Sequence, residues 1–188
     1  MKSPAIASVH VLKVTLQDVE RPVWRRILVP SSSTLVRLHS VIQVSMGWTD
    51  SHLYQFRVAG TRHSPEDDDE GFDAGAFDAR RTTLGEVASA RTTFEYLYDF
   101  GDDWLHRIDV EEVRPPDVGT RYPVCVDGKG ACPAEDVGGA PGYRRFLLSI
   151  ADPGNDERAD LLAWVGGSFD PSRFDLSDVN RRLGRLAR

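Results

Sequence analysis

The stretch FEYLYDFGDDWLH, residues 94–106, determines how the middle of this chain folds. Aromatic side chains occupy every second position of its first half, which places them on one face of an extended strand: Phe94, Tyr96, Tyr98 and Phe100. The run Gly-Asp-Asp then predicts a turn, and a second alternating set predicts a returning strand: Trp104, His106, Ile108 and Val110. The segment therefore predicts an aromatic hairpin. Its rings either pack in the core, which is the favoured interpretation, or line a binding cleft.

The residues before this hairpin predict the opening of an α+β domain. Alternation of apolar side chains predicts strands at 9–16 and 23–29, and a third at 52–58 with His52 on its inner face. Between them, apolar residues at helical spacing predict a helix over 35–46. The order strand, strand, helix, strand is typical of a β-grasp-like start.

Two other segments lack periodicity and are predicted to be loops. Residues 60–81 are rich in Asp and Glu, but the acidic part at 64–79 does not fit a calcium loop because Phe77 stands where a bidentate glutamate is required. Residues 115–142 are rich in Gly and Pro, which predicts a turn region or a site rather than a helix or a strand. A capping box beginning at Thr83 predicts a short helix between the two loops.

The whole chain, residues 1–188, is predicted to be one α+β domain with a mixed or antiparallel sheet. A sheet-rich part at about 8–114 is followed by the Gly/Pro-rich loop and then by a helical part at 142–188. Helices are predicted there over 142–151, 156–165 and 176–187.

Composition and charge narrow the possible partners. A formal net charge of −6 argues against a protein that coats nucleic acid through its overall charge. No apolar run approaches the ~18 residues that a membrane span requires, and the N-terminus makes a poor signal peptide. We therefore expect a cytoplasmic protein without a membrane partner.

Five segments, taken together and in order, resemble one family: PVWRRILVP (22–30), LHSVIQVSMGWTDSHLYQF (38–56), YDFGDDWLHRI (98–108), CVDGKGACPAEDVGGAPGY (125–143) and WVGGSFDPSRFD (164–175). The chain is similar to the plasmid pRiA4b ORF-3-like proteins, which are also labelled transposon passenger proteins of the TnpR-like kind. The resemblance implies an α+β domain of unknown function found on plasmids, transposons and bacterial chromosomes. Serine recombinase activity is not expected, because Ser3 and Ser8 precede the first strand and no arginine accompanies them.

A zinc site is one interpretation of the two cysteines, Cys125 and Cys132. The glycines between them would let the chain fold back, and His106 or Asp136 could help to complete the four ligands that structural zinc requires. The resemblance implies a further cysteine where this chain has Val137, which puts the site in doubt. Two reduced, partly buried thiols and no cofactor are the favoured interpretation.

Three functional hypotheses remain open. The leading one is a non-enzymatic binding or accessory module of the mobile-element type, with a protein or a small molecule as its partner. Its predicted binding surface joins the hairpin to the CPAEDVGG loop, residues 132–139, and consists of these residues: Tyr98, Asp99, Asp102, Trp104, His106, Glu135 and Asp136.

The alternative is a metal-dependent hydrolase or nuclease, in which His52, His106 and acids of the same region hold a metal that activates water. No catalytic residue is assigned, because the sequence contains no HExxH, GxSxG or phosphate-loop motif. The third hypothesis is nucleic-acid binding through the arginine-rich C-terminal helix. Its basic side chains are Arg181, Arg182, Arg185 and Arg188.

Overall fold

A single mixed sheet runs through the computed structural model, which describes residues 6–65 and 76–186. Its eight strands within this described part are β1 (Val9–Leu16), β2 (Trp24–Pro30), β3 (Tyr54–Val58), β4 (Thr61–Ser64), β5 (Phe77–Asp78), β6 (Thr93–Tyr98), β7 (Trp104–Arg114) and β8 (Val124–Lys129). They lie in the order β5-β4-β3-β6-β7-β1-β2-β8, and all pairs are antiparallel except β4 with β5. The predicted α+β class is confirmed.

The described helices are α1 (Leu35–Met46), α2 (Leu84–Val87), α3 (Gly139–Ala151), α4 (Arg158–Trp164) and α5 (Leu176–Leu186). The strand, strand, helix, strand order at the front and the helical section at the back are as predicted. Helix α1 begins after Thr34, whose hydroxyl accepts a hydrogen bond from the backbone N–H of Arg37. It ends at Gly47, whose φ of 98° lies in the left-handed region that favours glycine.

The two faces of the sheet meet different surroundings, which explains the alternation in the sequence. The inner face joins helices α1, α3 and α5 in one apolar cluster, with Leu12, Ile27 and Leu38 fully buried. The outer face carries charged side chains that pair with each other; Arg26, for example, lies 2.7 Å from Glu111 and 2.9 Å from Asp127.

The aromatic hairpin packs in the core. Strands β6 and β7 pair so that Tyr98 stands opposite Trp104, and both rings are buried against the inner face. Trp48, which follows α1, covers them with ring centroids 5.1 Å from Tyr98 and 6.0 Å from Trp104. Phe100 does not continue the alternation, since β6 ends at Tyr98 and the turn begins there.

Three strands lie in segments that were predicted to be loops. Strands β4 and β5 fall within 60–81, and β8 falls within 115–142, so both loop predictions are wrong in these parts. Strands β4 and β5 are short, and β8 ends in Asp, Gly and Lys. They form because they pair with neighbouring strands at or next to the edges of the sheet. The free edge of β8 is covered at Cys125 by the side-chain amide of Asn180. This amide accepts a hydrogen bond from the backbone N–H of Cys125 and donates one to the backbone C=O of Cys125, both at 2.8 Å. The acidic residues 66–75 lie outside the described residues.

Candidate functional site

The turn of the aromatic hairpin meets the CPAEDVGG loop at one end of the sheet. Glu135 connects them: its carboxylate accepts a hydrogen bond of 2.5 Å from the Tyr98 hydroxyl and one of 3.1 Å from the backbone N–H of Thr49. The Tyr98 hydroxyl in turn accepts a bond of 3.0 Å from the N–H of Ser51. Burial raises the pKa of Tyr98, so its hydroxyl stays protonated and able to donate.

The hairpin turn is held by its own aspartates. One oxygen of Asp99, Oδ1, accepts bonds from the backbone N–H groups of Gly101 (2.9 Å) and Asp102 (3.3 Å). Asp102 reaches the neighbouring loop, where its Oδ2 accepts a bond of 3.1 Å from Gly138. Gly139 is required beside it, because its φ is 65° and a Cβ there would lie 2.5 Å from the carbonyl oxygen of Asp102.

Three potential metal ligands converge at this junction. His52 follows α1, Asp99 begins the hairpin turn, and Asp136 lies in the CPAEDVGG loop. The Nε2 atom of His52 is 3.0 Å from Asp136 Oδ1 and 3.6 Å from Asp99 Oδ2, and all three ligand atoms lie within 4.8 Å of one another. Within the described residues, these three form the one group of three or more His, Cys, Asp or Glu side chains that are close enough together to hold a metal ion. His52 precedes β3, so its predicted place in a strand is wrong.

A polar layer, buried except for Asp50, supports the segment that carries His52. His39 Nδ1 is 2.7 Å from the Tyr96 hydroxyl, and its Nε2 is 2.6 Å from Asp50. Gln43 donates to the same hydroxyl at 3.0 Å and accepts a bond of 3.1 Å from the N–H of Asp50. Burial lowers the pKa of His39, while Asp50 opposes that shift. The layer ties helix α1, strand β6 and the loop before His52 to one another.

His106 and Trp104 lie beneath the junction rather than on its surface. His106 is fully buried, and its Nδ1 is 3.0 Å from the carbonyl oxygen of Trp104, an acceptor that identifies Nδ1 as the protonated nitrogen. Burial lowers its pKa to about 4, so the ring is neutral near pH 7. His106 does not belong to the ligand group of His52, and the predicted site that required both histidines is not formed.

The cysteines do not join this group either. Cys125 is buried on β8 and Cys132 is half-buried after it, and both are free thiols. Burial raises the pKa of both, that of Cys132 to about 12, while the guanidinium of Arg25 opposes the shift. The predicted combination of Cys125, Cys132 and His106 is absent from the ligand groups in the described part of the chain.

A cleft of about 780 Å³ opens on the other side of the hairpin turn. Its walls are the β1–β2 turn (17–20), the residues 102–104 and the first turns of α3. Trp104 and Tyr143 are among its lining residues although each is only 2% exposed, and the other lining residues include acidic and basic side chains. The volume lies in the range of small-molecule sites.

The sequence of the chain matches the model of the plasmid pRiA4b ORF-3-like protein family over residues 8–178. The chain belongs to this family. It is 43% identical over 185 residues to "Uncharacterized protein y4hQ" of Sinorhizobium fredii (strain NBRC 101917 / NGR234), covering 97% of this chain and 94% of that protein. Its fold is similar to that of the protein of unknown function MM3350 from Methanosarcina mazei Go1, with a TM-score of 0.84 and 31% identity over 93% of this chain and 98% of that one.

The predicted surface is thus divided by the structure. Tyr98 and four acidic residues meet at the junction: Asp99, Asp102, Glu135 and Asp136. Trp104 lines the cleft while remaining buried, and His106 is enclosed. His52 was not part of the predicted binding surface and was named only for the metal-dependent alternative, although the segment WTDSH that precedes β3 is a polar interruption between a helix and a strand, where functional side chains often lie. Among the described residues, no helix has the length and apolar character needed to cross a bilayer.

Proposed function

We propose that this protein is a non-enzymatic binding module, and that its cleft takes up a short segment of a partner protein carrying basic and apolar side chains. The observation that carries the proposal is the cleft itself, which forms where the aromatic hairpin, the β1–β2 turn and α3 meet. An accessory role for a mobile element agrees with the family to which the chain belongs.

The charge around the cleft favours a basic partner. Four carboxylates line it against two guanidinium groups: Asp18, Glu20, Asp102 and Asp103 against Arg144 and Arg145. Arg144 is already paired with Glu20, at 2.9 Å. Asp18 and Asp103 are exposed, and neither forms an ion pair within the described residues. A lysine or arginine of the partner would supply the missing opposite charge.

The apolar part of the cleft continues onto the surface of α3. Val19, Pro141 and Leu147 line it beside the aromatic rings, and Leu148 is 64% exposed at its border. A peptide with alternating apolar and basic side chains would cover this surface and reach the carboxylates at the same time. A purely polar ligand would leave Leu148 in water.

Fluorescence anisotropy with two labelled peptides of equal length tests the proposal. One peptide alternates leucine with lysine, and the other alternates leucine with glutamate. We expect saturable binding of the lysine peptide, at least about tenfold tighter than that of the glutamate peptide and weakened by salt. Asp103→Lys and Leu148→Asp should each weaken it severalfold.

The matched control is Asp156→Lys, which changes the net charge equally at an exposed position outside the cleft. An equal effect of Asp103→Lys and Asp156→Lys would show that the peptide is attracted only by the net negative charge, and would overturn the proposal. Equal affinity for both peptides would overturn it as well.

The other hypotheses remain predictions. A metal-dependent hydrolase would have to work without His106, which is enclosed in the core. For nucleic-acid binding, the basic charge of α5 is reduced on one side, because Arg181 and Arg182 both pair with Asp178. Arg188 lies outside the described residues.

A further inference from the structure

We infer that His52, Asp99 and Asp136 form a binding site for one divalent first-row transition-metal ion. This inference goes beyond the proposed function, since the site lies at the junction and none of its three residues lines the cleft. It also differs from the cysteine-based site that the sequence suggested.

Two of the three distances between the ligand atoms match those around a single ion, and the third, between Asp99 and Asp136, is within 4.8 Å. Ligands about 2.1 Å from one ion are separated from each other by about 3 to 3.5 Å when they occupy neighbouring positions. The two separations from His52 Nε2, 3.0 Å to Asp136 and 3.6 Å to Asp99, are close to these values.

The Nε2 atom of His52 lies 3.0 Å from Asp136 Oδ1 but forms no hydrogen bond with it. The atom is covered from solvent, yet neither carboxylate oxygen meets the geometry of a hydrogen bond to it. A covered polar atom without a hydrogen bond is costly. An ion bound between the nitrogen and the two oxygens would satisfy all three atoms at once.

The surrounding residues hold the ligands in place and leave the ligand atoms available. The two backbone N–H groups bound to Asp99 Oδ1 direct Asp99 Oδ2 toward His52. The neighbouring Glu135 is engaged by Tyr98 and Thr49, so it positions the loop and is not counted as a ligand. Asp136 is exposed, which leaves a path by which an ion can enter.

The donor set indicates the class of ion. One imidazole nitrogen and two carboxylate oxygens suit zinc, manganese, iron or cobalt better than magnesium or calcium, which prefer oxygen ligands alone. Three protein ligands also leave at least one position open to water or to a ligand.

Isothermal titration of chelator-treated full-length protein with ZnCl₂ tests the site. We expect one high-affinity zinc ion per chain. His52→Leu, Asp99→Asn and Asp136→Asn should each weaken binding at least tenfold, because even outer-shell partners typically contribute about 10–100-fold. The asparagines keep a carbonyl oxygen and tolerate the left-handed backbone of both positions, where φ is 58° and 59°.

The matched control is Asp103→Asn, which lies in the same turn with a φ of 58° but outside the ligand group. It should bind zinc as the wild type does. Circular dichroism of every zinc-free variant shows whether weak binding reflects unfolding. If an aspartate variant fails to fold, His52→Leu and the near-ultraviolet and visible spectrum of the Co²⁺-loaded wild type decide the matter, since nitrogen and oxygen ligation gives visible d–d bands without the near-ultraviolet thiolate charge-transfer band.

Three results would overturn the site: no zinc binding by the folded wild type, unchanged binding in all three variants, or binding lost only in Cys125→Ser and Cys132→Ser. The second would show that the three side chains form only an ion pair. The third would restore the cysteine interpretation. Peptide binding in the cleft is measured independently on the zinc-free protein, so either proposal can fail without the other.

Discussion

The strands of the aromatic hairpin and the turn that joins them hold their polar groups in different ways. On β7, His106 is fully buried and neutral, with one nitrogen held by a backbone carbonyl and the other without a partner. A few residues away, Asp99 is also largely buried, but its Oδ1 accepts backbone N–H bonds within the turn, whereas its Oδ2 faces His52 next to the exposed Asp136.

The difference shows how one hairpin can supply both stability and a site. Aromatic and imidazole rings in the strands are removed from water by the helices above them, so their contribution is packing. The turn is only partly covered, since Gly101 and Asp103 are exposed, and its aspartates bind local N–H groups and carry charge next to the neighbouring loops. Three experiments test this difference between the buried strands and the turn.

The largest effect is expected for Trp104→Ala. Trp104 is 2% exposed, and removing a buried tryptophan costs about 3–5 kcal/mol of unfolding free energy through lost burial and the cavity that remains. Urea unfolding followed by circular dichroism measures the change. The matched control is Trp164→Ala, where the ring is 49% exposed, and the loss should be less than half as large. Equal losses would mean that the hairpin is no more central than the surface of α4.

A smaller effect is expected from pH, through His106. Its pKa is about 4 in the folded protein and about 6.5 when unfolded, so below pH 6.5 the unfolded chain binds a proton that the folded one does not. This group therefore stabilises the fold fully above pH 6.5, and lowering the pH from 7 to 5 should remove about 2 kcal/mol.

Urea unfolding at both pH values, on the wild type and on His106→Asn, isolates this contribution. The asparagine amide can still donate to the carbonyl of Trp104 but does not titrate. His39 and His63 also have pKa values lowered by burial, so the variant should retain part of the pH dependence. An unchanged dependence in His106→Asn would contradict the enclosed, neutral state of this ring.

The smallest effect is expected for Tyr98→Phe, because the buried ring stays and only its hydroxyl at the junction is lost. The change removes the hydroxyl that joins Ser51 to Glu135 and should cost about 1–2 kcal/mol. Tyr143→Phe is the matched control, because that hydroxyl is buried without a hydrogen bond and its removal should be neutral or stabilising. Thermal unfolding of the two variants compares them directly. A loss as large in Tyr143→Phe would show that the hydrogen bonds of Tyr98 contribute nothing.

Most elements of the fold could be predicted because the spacing of their apolar residues indicates which face is buried. Strand β1 and helix α1 have the predicted bounds, and the hairpin rings face the core as their alternation favoured. The prediction failed for β4, β5 and β8. Strands β5 and β8 form the edges of the sheet and β4 lies next to one edge; all three are defined by pairing with a neighbour, and their own residues carry no clear alternation.

The α+β class, the aromatic hairpin and the family follow from the amino-acid sequence, since each depends on local patterns or on motifs in register. The grouping of His52 with Asp99 and Asp136, without His106, arises from the tertiary structure. The three converging residues come from three loops far apart in the chain, and loops have no periodicity from which a direction can be read. Their convergence depends on the left-handed backbone of Asp99 and Asp136 and on the close approach of Gly139 to the carbonyl of Asp102. It also depends on the hydrogen bond between Tyr98 and Glu135. The contacts between loops form only when the sheet has brought the loops together.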